Sequence, residues 1–264
     1  MKKVKNNLNG TCLLTGDIGK MVKSHIIPKA LTRNEIKGDF FIEERNMNGH
    51  IVYSKAFDSW HDSNIVTQKG EDILADLDHF AIEELRKKGM VWSGKFKNFT
   101  DHLKVDIVNF NNPQKMRIYF LSLLWRASVS SHPVFKNINL DASKTAKLKA
   151  LITGEIEDDF SFFPVSLYSL SLGEIHNYSA GFDIIKDITF FRLYHDGLII
   201  RFMDREIPSL IEREAKAKVK GENINNDPSF FVDNNKSIYF TKIQFKGSKQ
   251  ECELLEVRKR YESK

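Results

Sequence analysis

The sequence predicts an α+β fold, and three observations support this prediction. Apolar residues recur at helical spacing between residues 70 and 88, which is typical of an amphipathic helix. Residues 116–130 and 143–152 have the character of two further helices, the first of them strongly apolar. Beyond residue 160 the chain changes to short runs of β-branched and aromatic residues, which favour strands. Runs of strands that are separate from the helices are typical of α+β folds with an antiparallel sheet.

The composition is that of a globular protein. With 264 residues, 41% of them hydrophobic and 28% charged, the chain can bury a sizeable core. No apolar run approaches the roughly 20 residues that span a bilayer, and no apolar segment follows the basic N-terminus as in a signal peptide. The two cysteines lie near opposite ends, so we expect no disulfide framework. These observations predict a cytoplasmic protein that does not associate with membranes.

The charge balance favours a polyanionic partner without requiring one. The net charge is +5 and the isoelectric point is about 9.0. Basic residues are spread along the chain, with one local run between Arg213 and Lys220. This run is either a solvated helix face or a stripe that binds phosphates, and the sequence leaves both interpretations open.

The N-terminal region is predicted to begin with a short strand over residues 11–15 and a returning strand over 20–27. Pro28 then opens a single helical turn. An irregular, polar loop is expected over residues 33–59, and a third strand over 64–67. The loop would bring two distant parts of the chain together.

The predicted helix over residues 70–88 has matching signals at both ends. Acidic residues lie in its N-terminal half and a basic cluster closes it, as the helix dipole favours, and Gly89 is a typical helix stop. We place a connection over residues 89–112 and divide the chain there into two domains, residues 1–89 and 90–264.

The second domain is predicted to contain a meandering antiparallel sheet. A helix is expected over residues 207–219, and the segment 195–197 reads as a hairpin turn in which Gly197 adopts a positive φ. Strands are expected over residues 160–172, 187–194, 198–202, 230–232 and 237–245.

Two stretches in the first domain have the character of a functional site. Residues 24–28 read Ser-His-Ile-Ile-Pro with basic residues on both sides, and Pro28 predicts that a strand ends near His25. Residues 60–71 contain a short apolar segment, a glycine, and Glu71 at the start of a helix. We predict that the two stretches form one site.

The order of elements around these stretches resembles the ββα-metal unit of HNH endonucleases, over roughly residues 11–88. His25 fits the first histidine of the family, which acts as general base on a water molecule. Asn64 fits the central asparagine, which orients the loop, and Glu71 fits the last metal-ligand position. The resemblance therefore implies an N-terminal HNH-like unit with His25 and Asn64 as catalytic residues.

The same motif is similar to that of a group of bacterial proteins, many of them in phage-defence settings. These proteins carry two Cys-x-x-Cys pairs that hold a structural zinc ion. In this chain Cys12 stands at the first of those positions, but Thr15, Thr67 and Gly70 stand at the others. Because one cysteine cannot hold a tetrahedral zinc ion, we expect no structural zinc.

The resemblance implies a metal-dependent DNA endonuclease of HNH type, with antiviral defence as its setting. Ser24 stands where many HNH enzymes have an aspartate ligand, and Asp62 is the nearest replacement. We therefore predict that Asp62 and Glu71 hold Mg²⁺ or Mn²⁺. The residues expected to bind the phosphates of the DNA are Lys23, Lys29 and Arg33.

A second interpretation is a degenerate HNH scaffold that binds nucleic acid or a partner protein without catalysis. The missing cysteines and Ser24 favour it. His25 could then be a packed, hydrogen-bonded histidine, Glu71 a favourable partner of the helix dipole, and Asp62 the cap of a turn. The sequence leaves the enzyme and the scaffold open.

Overall fold

The computed structural model describes most of the chain between residues 9 and 242. The described residues are 9–32, 41–45, 51–55, 59–91, 93, 105–169, 180–185, 187–206, 232–233 and 237–242. Within them lie three α-helices and thirteen strands, so the predicted α+β class is confirmed. None of the helices in the described part of the chain is both long enough and apolar enough to cross a membrane.

The helices are α1 (Gln68–Lys88), α2 (Pro113–Val129) and α3 (Ala142–Thr153). All three were predicted within three residues at each end, and their caps explain where they begin and end. Gly89 ends α1 in the left-handed conformation at φ 70°. The side chain of Asn112 caps α2 by accepting from Lys115 N at 2.8 Å. The side chain of Asp141 caps α3 in the same way.

Six short strands lie in the N-terminal region. They are β1 (Asn9–Thr11), β2 (Ile18–Lys20), β3 (Ser24–His25), β4 (Phe41–Arg45), β5 (Ile51–Lys55) and β6 (His61–Asp62). They form three separate antiparallel pairs, β1 with β2, β3 with β6 and β4 with β5. A single helical turn follows Pro28, as predicted.

The pairing corrects the prediction in three places. Residues 12–16 form the turn between β1 and β2, and β3 pairs with β6 instead of returning along the first strand. The expected strand over residues 64–67 is wrong. The carbonyl of Ile65 accepts from Leu13 N and that of Val66 from Val22 N, so these residues pair with two different segments. The region predicted as an irregular loop contains the β4–β5 hairpin.

The remaining strands form one seven-stranded sheet. They are β7 (Val105–Asn109), β8 (Val165–Ser169), β9 (Gly181–Ile185), β10 (Ile188–His195), β11 (Leu198–Met203), β12 (Val232–Asp233) and β13 (Ser237–Lys242). Their order is β12-β13-β8-β11-β10-β9, with β7 also paired to β13.

The antiparallel character of this sheet is confirmed for most of its pairs, with one exception. Strands β8, β11, β10 and β9 are antiparallel neighbours, whereas β13 runs parallel to β8. The predicted turn is confirmed, since Asp196 and Gly197 connect β10 to β11 at φ 46° and 78°. The connection predicted over residues 89–112 contains β7, which was missed because its partner β13 lies far along the chain. The helix predicted over residues 207–219 lies outside the described residues.

Helix α2 lies at the centre of the core. It packs against both α1 and α3, and residues 119–127 are buried on every side of the helix. One cluster of buried apolar side chains extends from Cys12 to Phe202, on both sides of the predicted domain boundary. The boundary at residue 89 stays a prediction. Helix α2 is the element of the core that contacts the candidate site.

Candidate functional site

The two stretches singled out in the sequence meet in the β3–β6 pair. Ser24 lies opposite Asp62, and His25 lies opposite His61. Residues directly opposite each other in an antiparallel pair point to the same face, and neighbours along a strand point to opposite faces. Ser24 and Asp62 are buried, His25 is half-buried and His61 is exposed. The pair therefore has an inner face, with Ser24 and Asp62, and an outer face, with His25 and His61.

Two imidazole rings lie together on the outer face. The ring centroids of His25 and His61 are 6.2 Å apart, and the ring planes meet at 63°. Nδ1 of His61 lies 3.2 Å from the carbonyl oxygen of Ser59. Because a carbonyl can only accept, Nδ1 carries the hydrogen, and Nε2 on the far side of the ring is the nitrogen that exchanges its proton.

Arg126 of α2 holds the backbone of β3 from the inner side. Its Nη1 donates to the carbonyl oxygen of His25 at 3.0 Å, and its two Nη atoms donate to the carboxylate of Asp78 at 2.9 and 2.6 Å. Two further bonds join it to Ser122. Burial lowers the pKa of Arg126, but the carboxylate of Asp78 outweighs it and keeps the pKa above its usual value. A permanent positive charge therefore lies behind His25.

The carboxylate of Asp62 is held in four hydrogen bonds on the inner face. Oδ1 accepts from Asn64 N at 2.9 Å. Oδ2 accepts from Ser131 N and Ser131 Oγ, both at 2.9 Å, and from Ser130 Oγ at 3.2 Å. Burial raises the pKa of Asp62, but these hydrogen bonds outweigh it and hold the pKa below its usual value. Asp62 thus connects β6 to the segment that follows α2.

Glu71 lies in the first turn of α1, beside Ser24 and Arg126. Burial raises its pKa, and the nearby Ser24 hydroxyl and the Arg126 charge only partly oppose that effect. Oε2 of Glu71 and Oγ of Ser24 are both buried. Glu71 is therefore brought to Ser24 on the inner side of β3.

The resemblance assigns Asp62 and Glu71 to a metal ion, and this assignment stays a prediction. Mg²⁺ is usually held by one or two carboxylates together with waters and substrate phosphates. The carboxylate of Asp62 accepts four hydrogen bonds, and Oε2 of Glu71 is buried. Across the described ranges, no group of three or more His, Cys, Asp or Glu residues is arranged to hold a metal ion.

The four positions that correspond to the zinc ligands lie together, and three of them take part in hydrogen bonds. Thr15 N donates to Cys12 Sγ at 3.4 Å, and a Cβ atom on Gly70 would lie 2.7 Å from that sulfur. The hydroxyls of Thr15 and Thr67 both donate to the carboxylate of Asp17, the second at 2.9 Å. The carboxylate therefore connects the β1–β2 turn to the residue before α1. The expectation of no structural zinc stays a prediction.

Of the other predicted site residues, three are described and one lies outside the described residues. Asn64 is exposed, and its backbone N–H is the group that binds Asp62. Lys23 is exposed and Lys29 is half-buried, and both flank His25 along the chain. Arg33 lies outside the described residues.

Sequence reasoning missed His61, and it predicted Arg126 as a core residue that could pair with an acid without placing it at this site. His61 could have been found only with the β3–β6 register, because nothing in its local sequence relates it to His25. Arg126 lies in an apolar helix, where a lone arginine signals a buried ion pair but does not identify its partner.

Comparisons with protein-family models, with curated proteins and with solved structures found no match to this chain. The candidate site is thus described by its own geometry. Its defining features are the imidazole pair on the outer face, the buried guanidinium behind it, and the hydrogen-bonded Asp62 on the inner face.

Proposed function

We propose that the protein is a nuclease of HNH type that hydrolyses phosphodiester bonds in DNA. One observation carries this proposal: β3 and β6 present His25 and His61 side by side on an accessible face. An imidazole is the side chain best suited to accept a proton near neutral pH. Arg126 supports the proposal because its bond to the His25 carbonyl holds β3 in place.

In the proposed reaction, His25 accepts a proton from a water molecule whose oxygen attacks the phosphorus. The bond from phosphorus to the leaving 3′ oxygen then breaks. Lys23 and Lys29 flank His25, and with Arg33 they are proposed to bind the neighbouring phosphates. The net charge of +5 favours approach of DNA to the protein.

The proposed dependence on Mg²⁺ or Mn²⁺ comes from the resemblance alone. If a metal ion binds with Glu71, it would supply stabilisation of charge on the phosphate and the leaving oxygen. The four hydrogen bonds that Asp62 accepts do not favour this part of the proposal. We therefore derive no step of the reaction through a metal ion.

A plasmid-nicking assay tests the proposal. The wild-type protein should convert supercoiled DNA to the open-circular form, and His25→Ala should abolish this conversion. His79→Ala is the matched control, because His79 is an exposed histidine on α1 that pairs with Glu83 at 3.4 Å. Parallel reactions with Mg²⁺, Mn²⁺ and EDTA test the metal prediction. Equal nicking by the wild type and by His25→Ala would contradict the assignment of the base.

The second candidate function is a scaffold that binds DNA or a partner protein without cleaving it. The hydrogen bonds of Asp62 favour it, because a carboxylate with four donors serves to connect segments of the fold. The scaffold predicts no nicking under any metal condition and DNA binding that survives His25→Ala. The nicking assay distinguishes the scaffold from the nuclease, and a mobility-shift assay with the wild type and both variants shows whether DNA is bound.

The resemblance also motivates a cellular role in antiviral defence in the cytoplasm. Expression of the wild-type protein in bacteria should then lower the plating efficiency of phage, and His25→Ala should restore it. If the protein acts with a partner protein in such a defence system, affinity purification should recover that partner with the wild type and with His25→Ala.

A further inference from the structure

We propose that His61 is a second catalytic residue of this site, which gives a proton to the leaving oxygen. The inference rests on the proposed nuclease function and deepens it. It assigns a role to the exposed imidazole that the β3–β6 register places beside His25.

The geometry suits a pair of histidines that act on one phosphodiester group. The rings share the outer face, and their centroids are 6.2 Å apart. Two hydrogen bonds to one phosphodiester group, each about 2.6–3.2 Å long, span a comparable distance. His25 and His61 can therefore reach the attacking and the leaving oxygen of the same phosphate.

The contact with Ser59 prepares His61 for this role. The Ser59 carbonyl accepts from Nδ1 at 3.2 Å, so it fixes the ring and leaves proton exchange to Nε2. Ser59 is itself held in place, since its hydroxyl donates to the carbonyl of Ile27 at 2.6 Å. In the protonated ring, Nδ1–H keeps its bond to the carbonyl and Nε2–H is the acid.

The proton balance closes without any further reactant. The attacking water transfers one proton to His25 as its oxygen bonds to phosphorus. As the bond from phosphorus to the 3′ oxygen breaks, that oxygen receives the proton from Nε2 of His61. The products are an alcohol and a phosphate monoester, and His25 returns its proton to His61 through solvent.

The proposed proton transfer acts on the same charge that the metal ion of the resemblance would stabilise. A metal ion would stabilise the negative charge of the leaving oxygen, but the carboxylate of Asp62 is held on the inner face. A proton from His61 neutralises the same charge from the outer face.

The test compares two substrates that differ in their leaving group. Loss of the 3′ alkoxide from DNA needs a proton, whereas p-nitrophenolate leaves bis(p-nitrophenyl) phosphate readily as an anion. His61→Ala should lower DNA cleavage by about 100-fold or more while changing hydrolysis of bis(p-nitrophenyl) phosphate by less than about threefold. His79→Ala, which removes an exposed histidine elsewhere, should change neither rate. His25→Ala should lower both rates.

Three results would overturn the inference. An equal loss on both substrates would show that His61 acts only on the structure of the site. Unchanged cleavage of DNA by His61→Ala, with cleavage lost in His25→Ala, would refute the role of His61 and leave the nuclease proposal standing. If the wild type hydrolyses neither substrate, the nuclease proposal and this inference both fail.

Discussion

Lowering the pH should destabilise the protein through His195, a buried histidine at the end of β10. Its side chain is 0% exposed, and its ring lies 6.4 Å from that of Tyr119. Neither ring nitrogen forms a hydrogen bond with a described residue. Burial, with a smaller effect from the nearby Arg126 charge, lowers the pKa of His195 to about 3. The perturbation is a change from pH 7.5 to pH 4.5.

The sign and size of the effect follow from proton linkage. The unfolded chain binds the proton near the usual pKa of 6.5, whereas the folded protein does so only near 3. The unfolded state is therefore favoured as the pH falls below 6.5. The loss of unfolding free energy levels off near the pKa of His195 in the folded protein. At pH 4.5, about two units below the unfolded value, the free energy of unfolding should fall by about 3 kcal/mol.

Urea unfolding at a series of pH values measures this loss, with His195→Leu as the reference. The variant cannot take up the proton, so its own pH dependence reports the other titrating groups. The unfolding free energy of the wild type minus that of the variant should fall by about 3 kcal/mol between pH 7.5 and 4.5. Parallel pH profiles for the two proteins would refute the assignment of a neutral, buried His195.

Two further predictions concern the groups that hold the β3–β6 pair. Asp62→Ala removes the acceptor of four hydrogen bonds, each of which contributes about 0.5–1.5 kcal/mol net, so urea unfolding should show a loss of about 3 kcal/mol. A loss below about 1 kcal/mol would mean that water replaces the carboxylate. Arg126→Met removes one partner of a buried ion pair and should cost about 3–5 kcal/mol in the same assay. Adding Asp78→Asn to Arg126→Met should recover part of that loss, and no recovery would contradict the pairing.

The helices and the hairpin turn could be predicted from the sequence because their signals are local. The apolar spacing along α1 and Gly89 at its end lie within a few turns of each other. Asp196 and Gly197 are likewise sufficient to indicate the tight turn between β10 and β11.

The strand partners could not be predicted because pairing is decided over long sequence distances. Val105–Asn109 was missed since its partner, Ser237–Lys242, is far along the chain. The pairing of Ser24–His25 with His61–Asp62 was missed for the same reason, although both segments were recognised as parts of one site.

The sequence by itself determined the α+β class, the three helices and the two stretches that meet in the candidate site. Only the tertiary structure decided which side chains share a face. Because side chains alternate along a strand, a register shifted by one residue would exchange the faces, placing Asp62 beside His25 and His61 inside. In the observed register, Ser131, which follows α2, binds the carboxylate of Asp62 on the inner face. Arg126 of α2 binds the carbonyl oxygen of His25. That packing leaves His25 and His61 together on the outer face, which is the physical basis of the proposed chemistry.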